Sequence, residues 1–134
     1  MAVIDASVAV ALVNSREQEH KSSWAWLEQA RATGESVTAP AILLAEVAAA
    51  LSRGMGDPTL AQRVVQQLVR SELVELVPIT LIMAQQAAAI AAEHRIRGCD
   101  AIYVALAEQL GEQLFTLDRQ QLERGEAVVS VRMP

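Results

Sequence analysis

The sequence predicts a single α/β domain, an open and mostly parallel sheet of about five strands flanked by helices. Three observations lead there. Short apolar runs alternate with longer helical segments, and no hairpin signal joins neighbouring runs. The apolar residues are mostly Ala, Val, Leu and Ile, with only four aromatics, a set that suits helices packed on a parallel sheet. A length of 134 residues holds one core and is too short for two.

Residues 2–5 (AVID) read as a first strand, and 6–13 (ASVAVALV) as a helix following it directly. Residues 16–33 carry Trp24, Leu27 and Ala30 at helical spacing and end at Gly34. SVTA is a second strand halted at Pro40, and AILLAEVAAALSR a long helix closed by Gly54 and Gly56. Asp57-Pro58 pairs a good cap with a proline suited to the first helical position, so a helix starts there. LVELVPI is a third strand, and residues 80–97 form an Ala-rich helix ended by Gly98. DAIYVALAEQL is a helix stopped by Gly111, QLFTL a strand, DRQQLER a short helix and AVVSV a last strand.

Composition excludes several classes. The apolar stretches are broken by charge before the roughly 18 residues a membrane span needs. No basic segment precedes the first apolar run, which itself carries Asp5, so a signal peptide is not expected. A single cysteine, Cys99, rules out an internal disulfide and a cysteine zinc cluster, and points to the cytoplasm. Net charge is −5. Phosphate contacts supply much of nucleic-acid affinity, so such a role needs a bound cation, a local Arg patch, or a dimer that gathers arginines on one face.

The sixteen acids comprise twelve Glu and only four Asp, and the placement of the four is informative. Asp57 is accounted for by its cap. Asp5 and Asp118 fall at the carboxyl ends of predicted strands, the edge where open parallel sheets bind ligands. Asp100 opens a helix, and helix starts belong to that same rim. Glu46 is the one charge within an eleven-residue apolar run, facing a narrow solvent strip or a polar pocket. Each has an ordinary alternative: Asp5, Asp100 and Asp118 as helix caps, Glu46 as a partly exposed helix residue. Together they suggest an oxygen cluster for a hard divalent cation such as Mg²⁺ or Mn²⁺.

VIDASVAVAL at the start, APAILLAEVAAAL in the first third and RIRGCDAIYVALAEQLGEQLFTLD near the end closely resemble the PIN domain, and within it the VapC-type ribonuclease toxins of prokaryotic toxin–antitoxin pairs. The resemblance spans nearly the whole chain, so residues 1–134 are expected to be one PIN domain. It implies a Mg²⁺- or Mn²⁺-dependent endoribonuclease whose acidic site is Asp5, Glu46, Asp100 and Asp118, the last bound directly or through water. Metal-activated water would attack the phosphodiester and leave a 5′-phosphate and a 3′-hydroxyl. A cognate antitoxin and a homodimer are further implications, with RNA as substrate and no membrane association. Gln121 stands where some relatives carry a further acid or amide.

Ser7 and Thr116, two residues from Asp5 and Asp118, are candidate outer partners of the carboxylates, against plain readings as a helix-start Ser and a β-branched strand residue. Arg95 and Arg97 are candidates for substrate phosphates, or for favourable contact with a helix carboxyl end. His20 is expected in solvent, and of Trp24 and Trp26 one is expected in the core and the other exposed. Other α/β folds fit poorly. A receiver domain lacks its mid-chain acceptor Asp, a haloacid-dehalogenase phosphatase would need an Asp at Ser7, and no Gly-rich loop follows the first strand. The alternative within the resemblance is a catalytically weak PIN-like module that mainly forms protein complexes.

Overall fold

The computed structural model describes residues 1–134, with elements β1 (Ala2–Ile4), α1 (Ala6–Val13), α2 (His20–Ala32), β2 (Val37–Pro40), α3 (Leu43–Met55), α4 (Pro58–Arg70), β3 (Glu75–Val77), α5 (Leu81–His94), α6 (Gly98–Leu110), β4 (Gln113–Phe115), α7 (Arg119–Gly125) and β5 (Val131–Arg132). One sheet holds the five strands in the order β3-β2-β1-β4-β5, and all four pairings are parallel. β1 is central, with Val3 opposite Thr38 on one side and Leu114 on the other. Its residues Ala2, Val3 and Ile4 are fully buried, as expected of a strand covered on both faces.

Helix α6 is the buried spine of the molecule. Tyr103, Val104, Ala105, Leu106 and Ala107 are all buried in succession, so the helix is apolar around its whole circumference rather than along one stripe. It packs on β1, β2, β4 and α5. By contrast α4 is strongly amphipathic, burying Ala61 and Leu68 against α3 and turning its arginines and glutamines outward.

Several boundaries differ from the sequence reading. The helix expected to run to Gly98 ends at His94, where Arg95 adopts a left-handed conformation (φ 55°). Ile96 then turns into the core, and Gly98 starts α6 instead of stopping α5. The expected strand AVVSV is reduced to its end: Val128 and Val129 N–H groups donate to the Gly125 carbonyl in a turn, leaving Val131–Arg132 as β5. The second helix starts only at His20. His20 itself is half-buried rather than in solvent, its Nδ1 donating to the Ala11 carbonyl at 2.7 Å. Both tryptophans are half-buried against the core: Trp24 Nε1 donates to the Leu12 carbonyl at 2.8 Å, and Trp26 lies 4.6 Å from the Phe115 ring. Neither is the exposed aromatic that the sequence suggested. No helix is long and apolar enough to cross a membrane.

Candidate active site at the carboxyl edge of the sheet

Parallel strands all end on one edge, and the helices that return from them start there. Asp5 follows β1 directly and caps α1. Asp118 lies just past β4 and caps α7. Glu46 sits in the first turn of α3, after β2. Although central in its apolar run, Glu46 is near the helix start because Ala41 and Ile42 are spent on a turn. Asp100 is in the first turn of α6. The four carboxylates line one cleft of about 710 Å³, together with Ser7, Arg53, Arg97 and Cys99.

Asp5 is the deepest, only 4% exposed. Its Oδ1 accepts from the Ser7 and Val8 N–H groups at 3.0 and 3.3 Å and from the Ser7 hydroxyl at 2.5 Å. Its Oδ2 accepts from the Thr116 hydroxyl. These donors favour the charged carboxylate, but burial outweighs them and lifts the Asp5 pKa to about 6, with the Asp100 charge adding to the rise. Ser7 and Thr116 thus both touch Asp5. Each also accepts from the chain after β4, Ser7 Oγ from Leu117 N–H at 2.9 Å and Thr116 Oγ1 from Asp118 N–H at 3.0 Å. The two hydroxyls lock the β1–α1 joint to the β4–α7 joint. Thr116 does so from beyond the strand end, since β4 stops at Phe115.

The capping alternative divides the acids. Asp118 Oδ1 accepts from Gln120 and Gln121 N–H at 2.8 and 3.3 Å, and Asp5 caps as described. Asp100 is no cap: Arg97 holds the cap position of α6, which has no side-chain capping bond. Glu46 caps nothing either. Its Oε2 accepts from the Tyr103 hydroxyl at 2.5 Å, and burial first, then Glu46, drive the tyrosine's pKa upward, keeping it a donor.

Arg97 bridges the remaining pair, its Nε donating to Asp100 Oδ2 at 2.8 Å and its Nη2 to Asp118 Oδ2 at 3.3 Å. The hydrogen bond to Asp100 and the charge beside it raise the guanidinium pKa further. Arg95 is absent from the cleft lining; its carbonyl accepts from Arg124 Nη1 at 2.6 Å. As the side chains stand, no three acids are close enough together to hold one metal ion. The donor chemistry nevertheless fits a hard cation: five carboxylates line the cleft, Glu17 joining the four predicted acids, one of the five is buried, and two arginines are the lining cations.

Tyr103 and Arg53 were missed in the sequence, and Gln121 was noted there only as a place where relatives carry another group. Tyr103, the only tyrosine, lies one helical turn beyond Asp100, a spacing that places both near one helix face. Arg53 lies seven residues beyond Glu46 on α3, again near one face, and lines the cleft. Gln121 is 2% exposed and donates from Nε2 to the Asp100 carbonyl at 3.0 Å. It steadies the turn carrying Asp100, and is absent from the cleft lining. Its burial was not readable from a polar DRQQLER segment.

Comparison with known proteins follows the same lines. Residues 2–127 match the family model described as PIN domain. Ribonuclease VapC3 of Pyrobaculum aerophilum is 48% identical over 46 residues, a stretch covering 34% of this chain and 35% of that protein. The fold is similar to that of Mycobacterium tuberculosis VapC20, a Sarcin-Ricin loop cleaving toxin, with TM-score 0.78 at 20% identity over 98% of this chain and 99% of that one. It is also similar to a chain of a toxin-antitoxin complex from Klebsiella pneumoniae, with TM-score 0.70 at 19% identity, covering 100% and 98%. With the family match spanning nearly its whole length, and a parallel sheet presenting acids at its carboxyl edge, the chain belongs to the PIN domain family.

Proposed function

We propose that the chain is a VapC-type toxin: a divalent-metal-dependent endoribonuclease that hydrolyses RNA phosphodiesters. The observation that carries this reading is the gathering of Asp5, Glu46, Asp100 and Asp118 in one cleft. The names of the similar proteins, a ribonuclease and a toxin, support it. Asp5, Glu46 and Asp100 are the proposed ligands of Mg²⁺ or Mn²⁺, with Asp118 a ligand directly or through water. When bound, such a cation supplies positive charge against the scissile phosphate and lowers the pKa of water.

The remaining work falls to the chain's own residues. Ser7 and Thr116 fix Asp5 through both its oxygens, and Tyr103 fixes Glu46. Gln121 holds the backbone at Asp100. Arg53, on the cleft wall, is the proposed contact for the RNA backbone. The rival reading, a binding module with its acids kept as caps, has Asp5 and Asp118 in its favour. Asp100 and Glu46, which cap nothing, favour the nuclease.

A free ribonuclease would harm its own cell, so we further propose a cytoplasmic protein held by an antitoxin whose basic group pairs with these acids. Leu81 and Ile82, 75% and 72% exposed at the start of α5, supply apolar surface consistent with a homodimer.

The test is cleavage of total cellular RNA by the purified chain in Mn²⁺ and in EDTA, beside Asp5→Asn and Asp100→Asn. Cutting in Mn²⁺ alone, with each variant losing more than ~100-fold, beyond what outer partners contribute, is the expected result. Metal-independent cutting would overturn the metal chemistry, and no cutting at all would leave the binding module.

A further inference from the structure

Arg97 stands where the proposed cation must act, and this sets up a competition. Its guanidinium holds Oδ2 of Asp100 and Oδ2 of Asp118 at once. Asp118 Oδ1 is already committed to two backbone N–H groups of α7, so Arg97 takes the oxygen that capping leaves over. A hard cation drawn to those oxygens competes with the guanidinium for their lone pairs and meets its like charge. Two of the acids are drawn onto its fork, in a cleft where no three acids lie close enough together to hold one ion.

The contact is built to be given up. The Arg97 side chain is 69% exposed, against 17% for Asp100 and 34% for Asp118. Exposed ion pairs of this kind are weak and exchange readily with solvent. Arg97 belongs to the three-residue link between α5 and α6, so its long side chain can swing without moving a helix axis. Once released it remains on the cleft wall that also bears Arg53. Its five donors match a phosphodiester as well as they match a carboxylate.

Resting on the nuclease reading above, we propose that Arg97 is a built-in stand-in for the metal. It offsets one of the two negative charges of Asp100 and Asp118 until a divalent cation binds, then turns to the RNA phosphate. Cation loading and substrate binding are thereby coupled through one side chain. Arg97 is a competitor of the metal in the empty enzyme and a substrate contact in the loaded one.

The experiment titrates Mn²⁺ into the parent, Arg97→Gln and Arg95→Gln by calorimetry, with folding of each checked by circular dichroism, and then measures RNA cleavage at saturating Mn²⁺. Arg95→Gln removes the same charge two residues away but outside the cleft. The expected result is that Arg97→Gln binds Mn²⁺ roughly two- to fivefold tighter, the upper range of a weak surface pair, while Arg95→Gln matches the parent. KM for RNA then rises in Arg97→Gln more than kcat falls. Unchanged or weaker Mn²⁺ binding by folded Arg97→Gln overturns the stand-in role and leaves the nuclease reading intact. Equal tightening in Arg95→Gln overturns it too, because a general field and not competition is then at work. An unchanged KM overturns the phosphate contact. A parent that binds no Mn²⁺ overturns this inference together with the nuclease reading.

Discussion

At the scale of single residues, Asp5 carries the sharpest conflict in the molecule. It accepts hydrogen bonds at both oxygens, yet burial raises its pKa from 3.8 to about 6. A carboxyl whose folded pKa is raised favours the folded state when protonated. Its stabilising contribution is therefore full below pH 3.8 and is lost as pH rises through 6. In metal-free buffer, the parent should lose stability relative to Asp5→Asn by on the order of 3 kcal/mol between pH 3.8 and pH 7. Urea unfolding of both proteins at several pH values measures this. A constant difference across the range would show that Asp5 is ionised without cost. The same burial explains what a cation gains here, since charge placed against a desolvated carboxylate is poorly screened. Legibility at this scale was uneven. Asp5 announced itself as a carboxylate between two apolar runs, whereas Tyr103 and Gln121 act through long-range hydrogen bonds that no local pattern encodes.

At the scale of elements, local signals decided most of the outcome. Helix α1 runs over Ala6–Val13 as its apolar run and Asp cap imply, and α4 starts at Pro58 behind its Asp57 cap. The failures came where tertiary packing overrode a stop signal. Gly98 reads as the end of one helix, but burial of Ile96 pulls the chain inward earlier, and Arg95 accepts a left-handed backbone to make the turn. That shift sets Asp100 in the first turn of α6 and Arg97 beside it. Away from the cleft, the end of α7 makes a close approach to β5 at Gly125, where a Cβ would lie 2.9 Å from Val131 Cγ2. Val131 is β-branched, fully packed and short of room to yield. Gly125→Ala should therefore cost about 1–3 kcal/mol through overpacking, read as a lower urea midpoint. A midpoint equal to the parent's would show that β5 adjusts freely.

At the scale of the whole molecule, a chain of net charge −5 brings three of its four aspartates, with Glu46, to the one edge where parallel strands end together. The alternation of strands and helices made the sheet and its carboxyl edge readable. The strand order was not, because short strands of similar composition carry no mark of their neighbours. The convergence of Asp5, Glu46, Asp100 and Asp118 in one cleft follows from that order: β2, β1 and β4 are adjacent, and Glu46, Asp5 and Asp118 follow them in turn. Asp100 reaches the cleft from the start of the buried helix that packs on all three strands.

The central claim is that this cleft holds a divalent cation on its carboxylates, and calorimetric Mn²⁺ titration of the purified, partner-free chain beside Asp100→Asn tests it most directly. Asp100 caps no helix, so the amide removes a hard ligand without removing a cap. The account predicts Mn²⁺ binding by the parent and its loss in a variant that remains folded. No binding by the parent, or equal binding by the folded variant, would contradict it.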